Sequence, residues 1–266
     1  MADELVFIKL GGSLITDKNK PETARLELIE ALAGAIRRGL DERPEMRIVL
    51  GHGSGSFGHM AASQYNTREG VRTAEEWRGF QETWAAAHKL NQIVLERCQE
   101  AGLPVINFPP SAMVVTEKYR IRQWDVRPMQ AALDQQLMPV IFGDVVFDSR
   151  VGGTILSTED LFEHLSKILR PKRILLAGIE AGVWADYPRC SKILERIDGE
   201  HCEALDGQVL GSASVDVTGG MESKVRLMRR LVRHYPEMQV QIFSAVEPEM
   251  LYRAMLGEAL GTTISV

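Results

Sequence analysis

The apolar run Met46 to Leu50 opens directly into Gly51-His-Gly-Ser-Gly-Ser-Phe-Gly-His59, and this junction constrains the chain more than any other stretch. Four glycines in eight positions let a backbone approach a ligand closely and aim its N–H groups inward, as in a phosphate cradle fed by a strand. Gly53 to Gly58 also fits the G-x-G-x-x-G dinucleotide fingerprint letter for letter. That reading needs an acidic residue about 20 positions on, at the end of the next strand. Glu75 and Glu76 fall there, but they follow Thr73 in a T-x-x-E capping box, which sets both in the first turn of a helix. His59 closes the loop with a hydrogen-bond donor that the dinucleotide motif does not require.

Composition narrows the classes. A chain of 266 residues, 45% hydrophobic, buries a full core as one large domain or two closely joined lobes. A net charge of -5 weighs against a broad nucleic-acid surface, which draws on clustered Lys and Arg. Cys98, Cys190 and Cys202 are too scattered for a C-x-x-C motif, and their odd number fits a reducing compartment, the cytoplasm. No apolar run approaches the roughly 18 residues of a membrane span, and the N-terminus lacks the basic region of a signal peptide.

Leu5 to Leu10 reads as a first buried strand ending in a second glycine turn, Gly11-Gly12-Ser13. Lys9 inside it calls for an anion to offset desolvation, the alternative being a snorkelling edge lysine. Lys18, in a polar loop, is ambiguous on local grounds. A helix within Glu22 to Leu40 then leads to the Met46 to Leu50 strand, so the two strands are parallel and both glycine turns share one sheet edge. Thr73 caps a long helix to about Ala101, whose Trp77, Phe80 and Trp84 are either plain core or the wall of an apolar pocket. Strands are expected at Pro104 to Phe108, Val114 to Tyr119, Pro139 to Asp144 and Val145 to Phe147. The stretch from Gly152 to Asp160 leads into a helix capped by Ser157 or Thr158, with Glu159 and Asp160 complementing its dipole or suiting a metal or a hydroxyl. Arg173 to Ala177 is a strong strand, followed by a loop through Trp184 that opens a second lobe. A helix begins near Thr218-Gly-Gly-Met-Glu-Ser-Lys224, where a lysine in the first turn is unfavourable unless an anion compensates it. Two more strands, Val240 to Phe243 and Thr262 to Val266, flank a helix from Pro248.

Three glycine turns with isolated lysines at one sheet edge fit phosphoryl transfer, in which catalysis is largely positioning plus electrostatic stabilisation. The P-loop and protein-kinase motifs are absent. Lys9-Leu-Gly-Gly-Ser13, the loop at Gly51 to His59, Gly143-Asp144 and Thr218 to Lys224 together resemble the amino acid kinase superfamily. Gly55-Ser-Phe-Gly-His59 is similar to the loop of its isopentenyl phosphate kinases and fosfomycin kinases. The resemblance implies a three-layer αβα sandwich around a mainly parallel open sheet, with an acceptor lobe over residues 1–170 and a nucleotide lobe over 171–266. It implies ATP and Mg2+, isopentenyl phosphate as acceptor, a homodimer, and no nucleic-acid or membrane partner.

Carried over by position, the resemblance makes Lys9, Lys18 and His59 catalytic, with Lys9 bridging donor and acceptor, Lys18 stabilising the transition state and His59 holding the acceptor phosphate. Ser54, Gly55, Gly58 and Thr158 would line the acceptor site. Gly11, Gly12, Ser13, Gly55, Gly178, Trp184, Gly220 and Lys224 would serve the nucleotide, and Asp144 and Asp160 would be structural or organising. No metal-ligating residue is assigned. Three places depart from the family pattern: Ser54 within the glycine run, Ser157-Thr-Glu for Ser-Gly-Asp, and Gly178 to Trp184, which lacks two carboxylates of Thr-Asp-x-Asp-Gly-x-Tyr. A phosphonate kinase and a non-catalytic nucleotide- or oxyanion-binding protein stay open as rivals, with a dinucleotide oxidoreductase behind them.

Overall fold

The computed structural model describes residues 4–58, 65–198 and 220–266. Among them the strands are β1 (Leu5–Leu10), β2 (Arg47–His52), β3 (Val105–Asn107), β4 (Val114–Glu117), β5 (Arg120–Trp124), β6 (Met138–Phe142) and β7 (Asp144–Asp148). They continue as β8 (Gly152–Leu156), β9 (Arg173–Gly178), β10 (Val183–Trp184), β11 (Ile193–Leu194), β12 (Arg196–Asp198), β13 (Gln239–Ser244) and β14 (Thr262–Ser265). One eight-stranded sheet, in the order β12-β14-β13-β9-β1-β2-β6-β3, runs through both halves of the chain. Its pairings are parallel except β13 with β14.

Strand β1 is buried at every position, which is why it reads as an unbroken apolar run rather than an alternation. Its period of two still sorts the side chains. Val6, Ile8 and Leu10 join a core with the Leu26–Glu42, Ala74–Glu100 and Pro248–Met255 helices. Leu5 and Phe7 face the opposite core, built on the Arg127–Asp134, Thr158–Leu169 and Gly220–His234 helices. The result is the expected αβα sandwich. Phe7 meets Phe162 with ring centroids 4.9 Å apart, and burying such a ring contributes about 1.5–3 kcal/mol. Lys9 shares the parity of Phe7, so it too points to the face covered by the Thr158–Leu169 helix.

Helix ends follow local chemistry. Thr73 Oγ1 accepts the Glu76 N–H at 3.2 Å while Glu76 Oε2 accepts the Thr73 N–H at 2.8 Å, a complete capping box. Ser157, not Thr158, is the cap of the next buried helix, in a second box with Asp160. The structure adds elements to the sequence reading, among them the strands Gly152–Leu156, Arg120–Trp124 and Arg196–Asp198, the helix Arg127–Asp134, and the β10-β11 ribbon in the loop after β9. A smaller sheet, β5-β4-β7-β8, stands beside the main one. No described helix is long and apolar enough to cross a membrane.

Candidate active site

The carboxyl ends of four neighbouring strands are laced together. Gly11 N–H donates to the Ala177 carbonyl at 2.8 Å, Gly53 N–H to Leu10 at 3.0 Å, and Gly143 N–H to His52 at 3.1 Å. Each glycine turn is thus hung on the strand next to its own. The turns then interlock: a Cβ on Gly12 would lie 2.4 Å from Gly55 N, and one on Gly55 would lie 2.1 Å from Thr16 Oγ1. Gly55 also holds φ +50, a left-handed conformation that glycine adopts without strain. These glycines are needed for backbone to meet backbone, apart from any ligand. Thr16 fastens the contact by donating to the Gly12 carbonyl at 2.7 Å and accepting the Ser56 N–H at 3.0 Å.

Beyond this platform lies one cavity. Lys9, Gly11, Gly12 and Ser13 line it from the end of β1, with Lys18 on the following turn and Ser54 and Gly55 from the second glycine loop. Thr158, Gly178, Gly220 and Lys224, also expected, line it too. Residues 9 and 224 thus meet across almost the whole length of the chain. Gly12 and Ser13 begin a one-turn helix, Gly12–Ile15, whose first N–H groups have no partner within it.

One carboxylate organises the cations. Glu159 Oε1 accepts Lys9 Nζ at 2.5 Å and lies 3.8 Å from Lys224 Nζ. Lys9 and Glu159 are both only 9% exposed. Burial works to raise the Glu159 carboxyl, but the charges of Lys9 and Lys224 outweigh it and hold it below the ordinary value. The sequence reading left Glu159 as a helix-dipole residue or one suited to a metal or a hydroxyl; the structure makes it the partner that buried Lys9 requires. The signal for an anion was the lysine itself, but its partner lies 150 residues away.

The remaining expected residues and their neighbours differ in what they do. Thr158 reaches the cavity, but its hydroxyl is engaged, donating to the His52 carbonyl at 2.6 Å. Gly51 makes room for it, since a Cβ there would lie 2.5 Å from Thr158 Cγ2. His52 is buried, lies 3.1 Å from Asn91 Oδ1 and stacks on Phe142; desolvation lowers its pKa. Gly58 does not line the cavity; it packs on Ser54, where a Cβ would lie 2.7 Å from Oγ. Asp144 is buried against Ser111 N–H and His88, and Asp160 caps its helix, so both tie elements together. Trp184 is joined to the cavity through Glu180, whose Oε2 accepts its indole N–H at 2.7 Å. His59 and Thr218 lie outside the described residues.

The aromatic residues of the Ala74–Glu100 helix divide. Phe80 packs with Val71 and Val145, and Trp77 and Ile155 pack against that cluster; Ile155 also lines the cavity. Trp84 turns away, 40% exposed and 4.5 Å from the His88 ring. Among the described residues no group of three or more His, Cys, Asp or Glu is arranged to hold a metal.

Residues 4–244 match the family model of the amino acid kinase family. The chain is 32% identical to an isopentenyl phosphate kinase of Methanocaldococcus jannaschii, covering 98% of both chains. It is 33% identical to one of Methanothermobacter thermautotrophicus, covering 98% of this chain and 99% of that one. A solved isopentenyl phosphate kinase structure superposes with a TM-score of 0.82 at 29% identity, over 98% of this chain and 100% of that one.

Proposed function

The chain belongs to the amino acid kinase family, among its isopentenyl phosphate kinases, and we propose that it transfers the γ-phosphoryl group of ATP to isopentenyl phosphate. An acceptor phosphate oxygen attacks Pγ, a new O–P bond forms, the bond from Pγ to the ADP oxygen breaks, and isopentenyl diphosphate results, a step of isoprenoid biosynthesis. The observation that carries this reading is the pair Lys9 and Lys224, drawn from opposite ends of the chain to one buried carboxylate beside the interlocked glycine turns.

The chemistry explains the residue types. A phosphate monoester has its second pKa near 6, so the nucleophile is already ionised at neutral pH and needs no general base. The difficulty is to bring two anions together, and cations with backbone N–H groups reduce that repulsion. Lys9, Lys18 and Lys224 all line the cavity; Lys9 is assigned to bridge donor and acceptor, Lys18 to meet charge on the transferring group, and Lys224 to hold the nucleotide phosphates. His59 is assigned to the acceptor phosphate and Ile155, backed by Phe80 and Trp77, to its apolar tail. The acceptor then belongs to the 1–170 lobe and the nucleotide to 171–266.

Magnesium fits as an ion carried on the nucleotide's phosphates, because the cavity supplies cations and no three-ligand cluster among the described residues. When bound, it neutralises phosphate charge. A homodimer belongs to the same proposal, supported by the edge position of β3 and by exposed Trp84 and Phe147. A cytoplasmic setting is supported by Cys98 and Cys190, which are both unpaired. The named relatives are kinases of isopentenyl phosphate, which favours that acceptor over a phosphonate and an enzyme over a binding protein.

Phosphorus NMR of a reaction with ATP, Mg2+ and isopentenyl phosphate tests the proposal: a diphosphate product should appear in step with ADP. ADP formed without a diphosphate would refute it. The His59→Ala variant should lose about ten- to a hundredfold in kcat/KM for the acceptor, the worth of a hydrogen bond to a charged group. An unchanged value would remove His59 from the site.

A further inference from the structure

Among the described residues two carboxylates line the cavity, and their surroundings differ. Glu159 is neutralised by Lys9 and Lys224, whereas Glu180 has no ion-pair partner among the described residues. Glu180 lies two residues past the end of β9, half-buried, with Oε2 occupied by the Trp184 indole N–H at 2.7 Å. Its loop is fixed from three sides. Ala245 N–H donates to the Gly178 carbonyl at 2.9 Å, and Val183 N–H donates to Thr262 Oγ1 at 2.7 Å. Gly182 is pressed onto the same strand, where a Cβ would lie 2.7 Å from Thr262 Oγ1. Trp184 itself is held in β10 against Ile193 of β11.

An uncompensated carboxylate repels phosphate, so a polyphosphate in this cavity runs toward Lys9 and Lys224 and away from Glu180. The group that meets Glu180 must therefore come from another part of the ligand. It must also bring a hydrogen-bond donor, because an ionised carboxylate only accepts. Sugar hydroxyls are such donors, and an acidic side chain at the end of a parallel strand is a recurrent means of holding them. A side chain already fixed by an indole and a rigid loop gives up little freedom on binding.

On the reading that the cavity takes a nucleoside triphosphate, we propose that Glu180, held in place by Trp184, binds the ribose of the donor and makes the chain selective for ribonucleotides. Glu180 occupies the variable position of the motif whose own two carboxylates this chain lacks. Glu180 is a specificity residue, and Trp184 acts through it as a positioning residue.

Calorimetric titration of the full chain with ATP, 2′-deoxyATP, 3′-deoxyATP and GTP, without acceptor, tests this. The unaltered chain should bind ATP about tenfold or more tightly than at least one deoxynucleotide. Glu180→Ala should bring that ratio to within about twofold, with Glu180→Gln, nearly isosteric and still able to accept, keeping part of it. Trp184→Phe should reduce the same ratio, an effect that a general loss of stability does not produce. Equal affinity of the unaltered chain for ATP and both deoxynucleotides would overturn the inference, as would a Glu180→Ala ratio that stays unchanged. A change confined to ATP against GTP would assign Glu180 to the base and overturn it too. If no nucleoside triphosphate binds the unaltered chain, the nucleotide reading itself fails and this inference with it.

Discussion

Lys9 shows how one residue sets a requirement that the rest of the chain must meet. An ammonium group on a strand buried on both faces costs several kcal/mol to desolvate unless an anion is close, and Glu159 provides one. Glu159→Gln removes the charge and keeps the shape. Without ligand it should cost about 3 kcal/mol of stability, since Lys9 is left buried and unpaired. Saturating ATP should narrow the melting gap to the unaltered chain, because phosphate then supplies the missing charge. A gap that ATP leaves unchanged would show that Lys9 does not face the nucleotide. The pH dependence has a definite sign. The Glu159 carboxyl is depressed in the folded state, so its contribution is complete above the unfolded value of about 4.3 and fades as pH falls through the lower folded value. Lys18→Met acts differently. A lysine that meets charge only in the transition state should cost turnover on the order of a hundredfold while the acceptor KM stays nearly constant. Steady-state kinetics with unchanged turnover and a raised KM would refute that role.

At the scale of elements, Asp148 joins the two hairpins of the smaller sheet. Its carboxylate accepts Thr116 Oγ1–H at 2.8 Å and the N–H groups of Lys118, Tyr119, Arg150 and Val151 at 2.8 to 3.2 Å. Burial raises its pKa, but these donors prevail and hold it at about 2. Its contribution is therefore complete above the unfolded value of about 3.9 and is lost as pH falls toward 2. Asp148→Ala should lower stability by about 2 kcal/mol at neutral pH, read from urea unfolding, and flatten the acid limb of the stability profile. No change in either would mean that the backbone donors find water instead. Elements of this kind mark what the sequence discloses. The Leu5–Leu10 strand and the Thr73 capping box were legible because their signals are local. β8 is not legible locally because two glycines head it, and its strand character comes from pairing with β7. Gly12 and Gly55 were legible as glycines of a cradle, but their mutual contact depends on β1 and β2 lying side by side. The Lys9–Glu159 pair was out of reach for the same reason, and Glu180 was passed over because the expected carboxylates around it were missing.

At the scale of the molecule, the eight-stranded sheet runs through both halves of the chain, with β1 between β9 and β2. That placement sets Lys9 at the middle of the sheet, where the proposed transfer would bring donor and acceptor together, and Lys224 comes across from the later half of the chain to the same carboxylate. Family membership and this geometry support the proposed acceptor, a small apolar alcohol that already carries one phosphate. The most direct measurement compares kcat/KM for isopentenyl phosphate and for fosfomycin, with ATP and Mg2+ and one preparation of the full chain. Isopentenyl phosphate should exceed fosfomycin by about tenfold or more, a difference of about 1.4 kcal/mol in transition-state binding. Equal values, a preference for fosfomycin, or no turnover of isopentenyl phosphate would contradict the account.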